Sequence, residues 1–316
     1  MVKEVTTLAE WRDSAFSLLD LREEAERSYV FSCDRVVHIP WSAQKARCQE
    51  YPTRQVVFAL LCSSDRATAA AQVDWFLSEQ IRTQQLPWTR LAFYIVDSDA
   101  ICAEAAALGI VGAALTLFPQ PRLWSPNALL YDLVPVVLAS SAPANSAVLD
   151  LACGSGRDIV YFAEEVLAKG SVPGRPQRFI GVDHNCMGRK KALAFADSRG
   201  VGNAFEFVKM DLNATAPLTT YDWGPVHCIY GCRFLNRELF PVIPVLLPVG
   251  GLFAWMHFCM PPDGSEWRWP HPTKAADILA VGELRKWFAS TFGIIRSFPL
   301  PSFSQSLNDT CNFLSH

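Results

Sequence analysis

The chain has 316 residues, half of them apolar and 19% charged, a balance that excludes a disordered polypeptide and leaves room for two cores of ordinary domain size. Its formal net charge of −3 supplies no basic field for gripping a phosphate backbone, which argues against nucleic acid as the partner. The N-terminus, MVKEVTTLAEWRDSAF, has no charged head followed by an apolar run, so no secretory signal is read there. Ten cysteines lie scattered, several in apolar runs (Cys62, Cys228, Cys259), with no CxxC pair. That usage fits reduced, buried thiols in a cytoplasmic protein and gives no metal site.

In chain order, FSLLDLREE (16–24) and QVVFALLCSSDRATAAAQVDWFL (55–77) each read as strand, loop and helix, and LAFYIVD (91–97) reads as a further strand. A small α/β domain over residues 1–117 is expected. FPQPRLWSPN (118–127), with three prolines, marks a linker. A second domain is expected over 128–316. Its strands are predicted at 147–152, 178–183, 205–210, 225–230 and 251–258, and DTCNFLSH reads as the last one. Its helices are predicted at 127–139, 158–168, 187–199, 237–246 and 282–290, the last with Leu284, Trp287 and Phe288 on one core face. Strands separated by helices predict a doubly wound parallel sheet. Residues 243–260 lack Asp, Glu, Lys and Arg, near the lower limit for a membrane span. Pro244, Pro248 and the pair Gly250–Gly251 instead predict a helix end, a turn and a buried strand, so no membrane partner is expected.

VLDLACGSGRDIVYFAEE (148–165) carries the most chemistry. An apolar strand runs into Asp150, the pair Gly154 and Gly156 follows, and a helical pattern comes next. A dinucleotide-binding loop wants a third glycine where Ile159 stands, which counts against a bound pyrophosphate. Acidic residues end the following strands: Asp183 closes RFIGVD and Asp211 follows FEFVKM. The carboxyl ends of such strands converge on one crevice. There a carboxylate on the second strand can accept both hydroxyls of a ribose, one on the third can accept an adenine amine, and an acidic rim tolerates a cationic ligand.

These residues resemble the class I S-adenosylmethionine-dependent methyltransferases over roughly 122–316. The resemblance implies a Rossmann-like fold with S-adenosylmethionine as cofactor. It implies that Asp150, Ala152, Cys153, Gly154, Ser155 and Gly156 hold the methionine part, Asp183 and His184 the ribose, and Met210, Asp211 and Leu212 the adenine. YGCRFLNRELFPVIPVLLPVGGLFAW (230–255) and HPTKAADILAVGELRKWF (271–288) look like the tellurite-resistance-type branch. Arg233, Phe234, Asn236 and Arg237 follow the fourth strand, beside the expected position of the reactive methyl. Arg233, Asn236 and Arg237 are therefore candidate catalytic residues, with His257 a candidate base. The arginines would bind an anionic acceptor, or pair with carboxylates such as Glu238; His257 would act as a base or sit satisfied in the core. Trp267 and Trp269 would roof a pocket or pack a loop.

LLDLREE (18–24), VVHIPW (36–41) and VVFALLC (56–62) resemble a rhodanese domain over about residues 7–115, a sulfur-transfer fold whose nucleophilic cysteine ends a central strand. Cys62 falls there. The expected loop is close to CxxGxR, whereas this chain has CSSDRAT: Asp65 replaces the glycine and Arg66 comes one residue early. Glycine permits the tight turn of a persulfide cradle, and Asp65 is expected to raise the thiol pKa, with Arg66 a partial offset. The expected whole is two α/β domains, an inactive rhodanese-like one and a methyltransferase acting on a small anionic, thiol or chalcogen acceptor. Two other readings stay open: a methyltransferase of RNA or protein that docks through the first domain, and a non-catalytic module that binds sulfur metabolites.

Overall fold

The structure is a computed structural model and describes residues 2–53, 56–78, 90–112, 119, 121–170, 174–214, 217–261, 263–267, 272–299 and 310–315. The chain divides into two compact units, Met1–Ser125 and Pro126–His316. In the first, β1 (Lys3–Val5), α1 (Ala9–Arg12), β2 (Ser17–Asp20), β3 (Val36–His38), β4 (Phe58–Cys62), α2 (Arg66–Ser78), β5 (Leu91–Val96) and α3 (Asp99–Ala107) follow in order. The strands form a parallel sheet ordered β1-β5-β4-β2-β3. Central β4 is buried at every position. Phe58, Leu60 and Cys62 face one cluster with Phe76, while Ala59 and Leu61 face another with Trp11 and Ile101. A strand covered on both faces needs the uninterrupted apolar run seen in FALLC.

Residues 16–24 do not pass from strand into a full helix. Leu21 N–H bonds Leu61 O (2.9 Å) and Leu21 O accepts from Trp41 N–H (3.1 Å), so the chain stays extended past β2 and forms only a short 3-10 turn at Glu24–Glu26. In the proline-rich stretch, Leu123 is buried in the core of this unit, and Trp124 is buried as well.

The second unit runs α4 (Ala128–Ala139), β6 (Ala147–Leu151), α5 (Arg157–Leu167), β7 (Arg178–Asp183), α6 (Cys186–Ser198), β8 (Phe205–Lys209), β9 (Val226–Cys232), α7 (Ile243–Leu246), β10 (Leu252–Phe258), α8 (Glu283–Phe288), β11 (Ile294–Pro299) and β12 (Thr310–Ser315). Its sheet is ordered β11-β12-β10-β9-β6-β7-β8. The pairs among β6 to β10 are parallel, and β12 is antiparallel to both β10 and β11. This is a doubly wound sheet with one reversed strand slipped in near its edge. The order turns back between β6 and β9, and the carboxyl ends of those strands mark the switch point at which α/β sheets hold ligands.

The predicted helix at 237–246 is instead a 3-10 turn, Arg237–Leu239, followed by the four residues of α7. Pro241 and Pro244 lack the N–H groups that a continuous helix would need at those positions. In α8, Leu284 and Phe288 are buried but Trp287 is 43% exposed, its ring edge-on to Phe240 at 5.7 Å. The uncharged stretch 243–260 becomes α7, a turn through Gly250 (φ 84°) and buried β10. Among the described residues no helix is long and apolar enough to cross a membrane.

Candidate functional site at the switch point

The loop after β6 is shaped by three residues with positive φ: Ala152 (66°), Gly154 (57°) and Gly156 (79°). Ala152 carries a side chain in the left-handed region, which costs on the order of 1 kcal/mol. The N–H groups of Ala152 and Cys153 hold it there by both donating to Val182 O (2.8 and 3.1 Å). Glycines make the fit around the loop. A Cβ at Gly156 would lie 2.9 Å from Ala192 Cβ, one at Gly188 2.7 Å from Gly154 O, and one at Gly181 2.7 Å from Cys153 Sγ. A Cβ at Gly154 would meet nothing within 4 Å. The loop is thus clamped on its inner side and open at Gly154.

Asp183 is the clamp. Its Oδ2 accepts from Gly154 N–H and its Oδ1 from Asn185 N–H, both at 2.9 Å. Asn185 Oδ1 in turn caps α6 through Met187 N–H (2.9 Å) and Gly188 N–H (3.2 Å). One carboxylate therefore sets both the loop and the helix start, and each oxygen keeps a further lone pair for a ligand. Met210 N–H donates to Asp183 O (3.0 Å), which aligns the next strand end. His184 is exposed, its Nδ1 3.5 Å from Asp183 Oδ1. Asp211 is exposed and accepts from Asn213 N–H (2.9 Å). Ser155, half-buried, completes the loop between the two glycines. Leu212 packs its side chain into the core.

Beneath the loop, Asp150 is buried, with the Tyr230 hydroxyl beside its carboxyl. Burial, and then the Asp158 carboxylate, push the Asp150 carboxyl well above its ordinary range. Asp158 itself was not singled out in the sequence. It stands in the first turn of α5, accepts from Asn127 N–H (2.9 Å), and is raised by burial against the pull of that bond and of Arg157 and Arg233. Its signal was an acid directly after the glycine loop. Burial, followed by these same carboxylates, also pushes the Cys153 and Cys232 thiols up, so both are protonated thiols at neutral pH.

At the end of β9, Arg233 also holds a left-handed conformation (φ 57°), its N–H bonded to Met256 O (2.8 Å). Its side chain is exposed and makes no hydrogen bond or ion pair among the described residues. It lines a cavity of about 300 Å³ together with Phe234 and Leu235; His257 and Phe258 enter from β10, and Pro272 and Asp277 from the following segment. His257 faces Asp277 O at 2.8 Å through Nε2, which places the proton there and leaves Nδ1 as a buried lone pair without a partner among the described residues. Burial lowers the His257 pKa, so the ring is neutral. Trp267 lies edge-on to Phe258 at 6.0 Å; Trp269 lies outside the described residues.

Two expected catalytic residues have other work. Arg237 donates to both carboxylate oxygens of Glu283 and to Ala276 O and Ile278 O. Asn236 caps the 3-10 turn through Glu238 N–H (3.0 Å) and ties it to Leu212 O (2.8 Å). Both hold loops in place.

In the first unit Cys62 ends β4, fully buried. Burial raises its thiol pKa far above the ordinary value, with Asp20 and Glu4 adding to it. Asp65, the cause expected from sequence, is not among these: it is exposed and caps α2 through Thr68 N–H (2.8 Å). The loop's own N–H groups are also engaged, Ser63 N–H by Gln72 Oε1 (3.0 Å) and Asp65 N–H by Ser63 Oγ (3.2 Å). Arg66 pairs with Glu4 at 3.2 Å. Beside β4, wholly buried Arg22 bridges Asp20 (2.9 Å) and Asp97 (3.2 Å), and Tyr29 Oη donates to Asp97 (2.7 Å).

No protein-family model matches this sequence, and neither does any curated protein. Among solved structures, the chain is similar to geranyl diphosphate C-methyltransferase from Streptomyces coelicolor, in complex with S-adenosyl-L-homocysteine (14% identity, 58% of this chain and 77% of that one, TM-score 0.42). It is also similar to TehB from Haemophilus influenzae (17%, 60% and 63%, 0.42) and to an rRNA methylase from Streptococcus thermophilus (14%, 60% and 96%, 0.41). By its own topology and glycine loop, the second unit is a mixed α/β, Rossmann-like domain with its switch point between β6 and β9.

Proposed function

We propose that the chain is an S-adenosylmethionine-dependent methyltransferase of a small-molecule acceptor, of the tellurite-resistance type, with a rhodanese-like first unit that has no sulfurtransferase activity. The observation that carries this reading is the loop held by Asp183: clamped through Gly154 N–H, open at Gly154, and followed by acids at the next strand ends. The cofactor fits what is there. Gly154 offers a backbone approach that any side chain would fill, Asp183 retains lone pairs for ribose hydroxyls, and its carboxylate suits a cationic ligand.

When bound, the cofactor supplies an activated methyl group and a neutral leaving group. The chain's residues then have to position the acceptor and exclude water. Asp150 and Ala152 to Gly156 would hold the methionine part, Asp183 and His184 the ribose, and Met210 and Asp211 the adenine. The cavity beside Arg233 and His257, after β9, would take the acceptor. A small molecule suits its volume, and a cytoplasmic setting suits the thiols. Titration calorimetry tests the reading: S-adenosylmethionine and S-adenosylhomocysteine should bind and NAD should not. Tighter binding of NAD would refute it.

A further inference from the structure

We propose that the cavity beside Arg233 takes a small aromatic acid with a single carboxylate, the head paired with Arg233 and the ring held between Phe234 and Phe258. This rests on the methyltransferase reading for its purpose, but its evidence is the cavity's own chemistry. Two arginines follow β9, and they differ in what holds them. Arg237 is engaged by Glu283 and two carbonyls, whereas Arg233 makes no hydrogen bond or ion pair among the described residues. Arg233 also keeps a left-handed backbone at φ 57°, an unfavourable conformation for a residue with a side chain, and one that recurs at ligand sites. A guanidinium with a planar fork at a cavity wall matches a carboxylate in two parallel hydrogen bonds.

The remaining lining decides the rest of the ligand. Phe234, Leu235, Phe258 and Pro272 make the wall predominantly apolar, which favours a flat hydrocarbon body over a sugar or a bare inorganic anion. The charge balance selects one anionic group. Among the described residues, Asp277 lines the same cavity and offsets Arg233, while His257, neutral and bonded to Asp277 O, adds no second cation. A phosphate monoester or a diphosphate would place surplus negative charge against Asp277.

The test is calorimetric titration of phenylacetate, phenylacetamide and phenyl phosphate into the full-length protein, with and without S-adenosylhomocysteine. Phenylacetate should bind at least about tenfold more tightly than the amide or the phosphate, and Arg233→Met should abolish that preference while leaving S-adenosylhomocysteine affinity unchanged. Arg233→Lys, which keeps the charge without the fork, should restore part of it. If S-adenosylhomocysteine binds but phenylacetate fails to saturate below about 10 mM, or binds no better than the amide, the inference is overturned and the methyltransferase reading survives. The reverse pattern, phenylacetate bound through Arg233 with no cofactor binding, would leave the acid site standing and overturn the methyltransferase reading.

Discussion

Both units place an arginine at the carboxyl ends of a parallel sheet, and they put it to opposite uses. In the first unit, Arg22 follows β2 and turns inward; it is wholly buried between Asp20 and Asp97. In the second, Arg233 follows β9 and stays exposed beside a cavity. Strand ends in α/β folds are where ligands bind. An internal ion pair there gives a closed, specified interior, whereas a free cation over an apolar wall gives a recognition site. The same contrast holds for the loops. After β4 the donors of Ser63 and Asp65 are satisfied from within, while after β6 the loop is clamped on one side and open at Gly154.

The largest expected effect breaks the closed half of this comparison. Arg22→Met leaves buried Asp97 without its cation and Asp20 with only Arg27, at 3.6 Å, and should cost about 3–5 kcal/mol. Scanning calorimetry should show the transition of the first unit moving down by far more than that of the second. A shift below a few degrees would mean that the buried pair contributes little.

Asp183→Ala removes the acceptor for Gly154 N–H and Asn185 N–H and the proposed partner of the ribose. Affinity for S-adenosylmethionine should fall roughly ten- to hundredfold, about 1–3 kcal/mol, as read by titration calorimetry. Unchanged affinity would remove Asp183 from the site.

Arg237→Ala should lower stability by about 1 kcal/mol, since the pair with Glu283 is partly open to solvent and screened, with little change in cofactor affinity. The pH dependence carries a clear sign. Burial pushes the Glu283 carboxyl up, but Arg237 and Ala280 N–H outweigh it and its pKa is lowered. Its contribution is therefore complete above the unfolded value, about pH 4.3, and is lost as pH falls through the folded value. Urea titrations of wild type and Arg237→Ala should converge as the solution is acidified; a constant gap would show that the carbonyl bonds of Arg237, and not Glu283, stabilise the loop.

The smallest effect concerns Cys62. Because burial holds its thiol protonated, it should resist alkylation in the folded protein at pH 8 while exposed Cys48 and Cys186 react. Cys62→Ala should leave methyl transfer unaltered. Robust transfer of sulfur from thiosulfate to cyanide, lost in Cys62→Ala, would turn this closed unit into a second active site.

Local pattern carried much of this protein. The run into Asp150, the glycines at 154 and 156 and the acids at 183 and 211 mark strand ends by composition alone, because buried parallel strands are apolar and their ends are not. Cys62 could likewise be placed at the end of β4. Three-dimensional packing decided the partners, which no local pattern encodes. Arg233 and Arg237 stand four residues apart in similar surroundings, and only the return of Glu283, 46 positions later, engages one and leaves the other free. Leu212 turned inward, Asn236 reached back to its carbonyl, and Asp158 joined Asp150 beneath the loop. The Cys62 thiol, too, owes its raised pKa to burial in a sheet covered on both faces rather than to its sequence neighbour Asp65. Desolvation and long-range pairing depend on what the whole chain brings together, so only the tertiary structure could assign them.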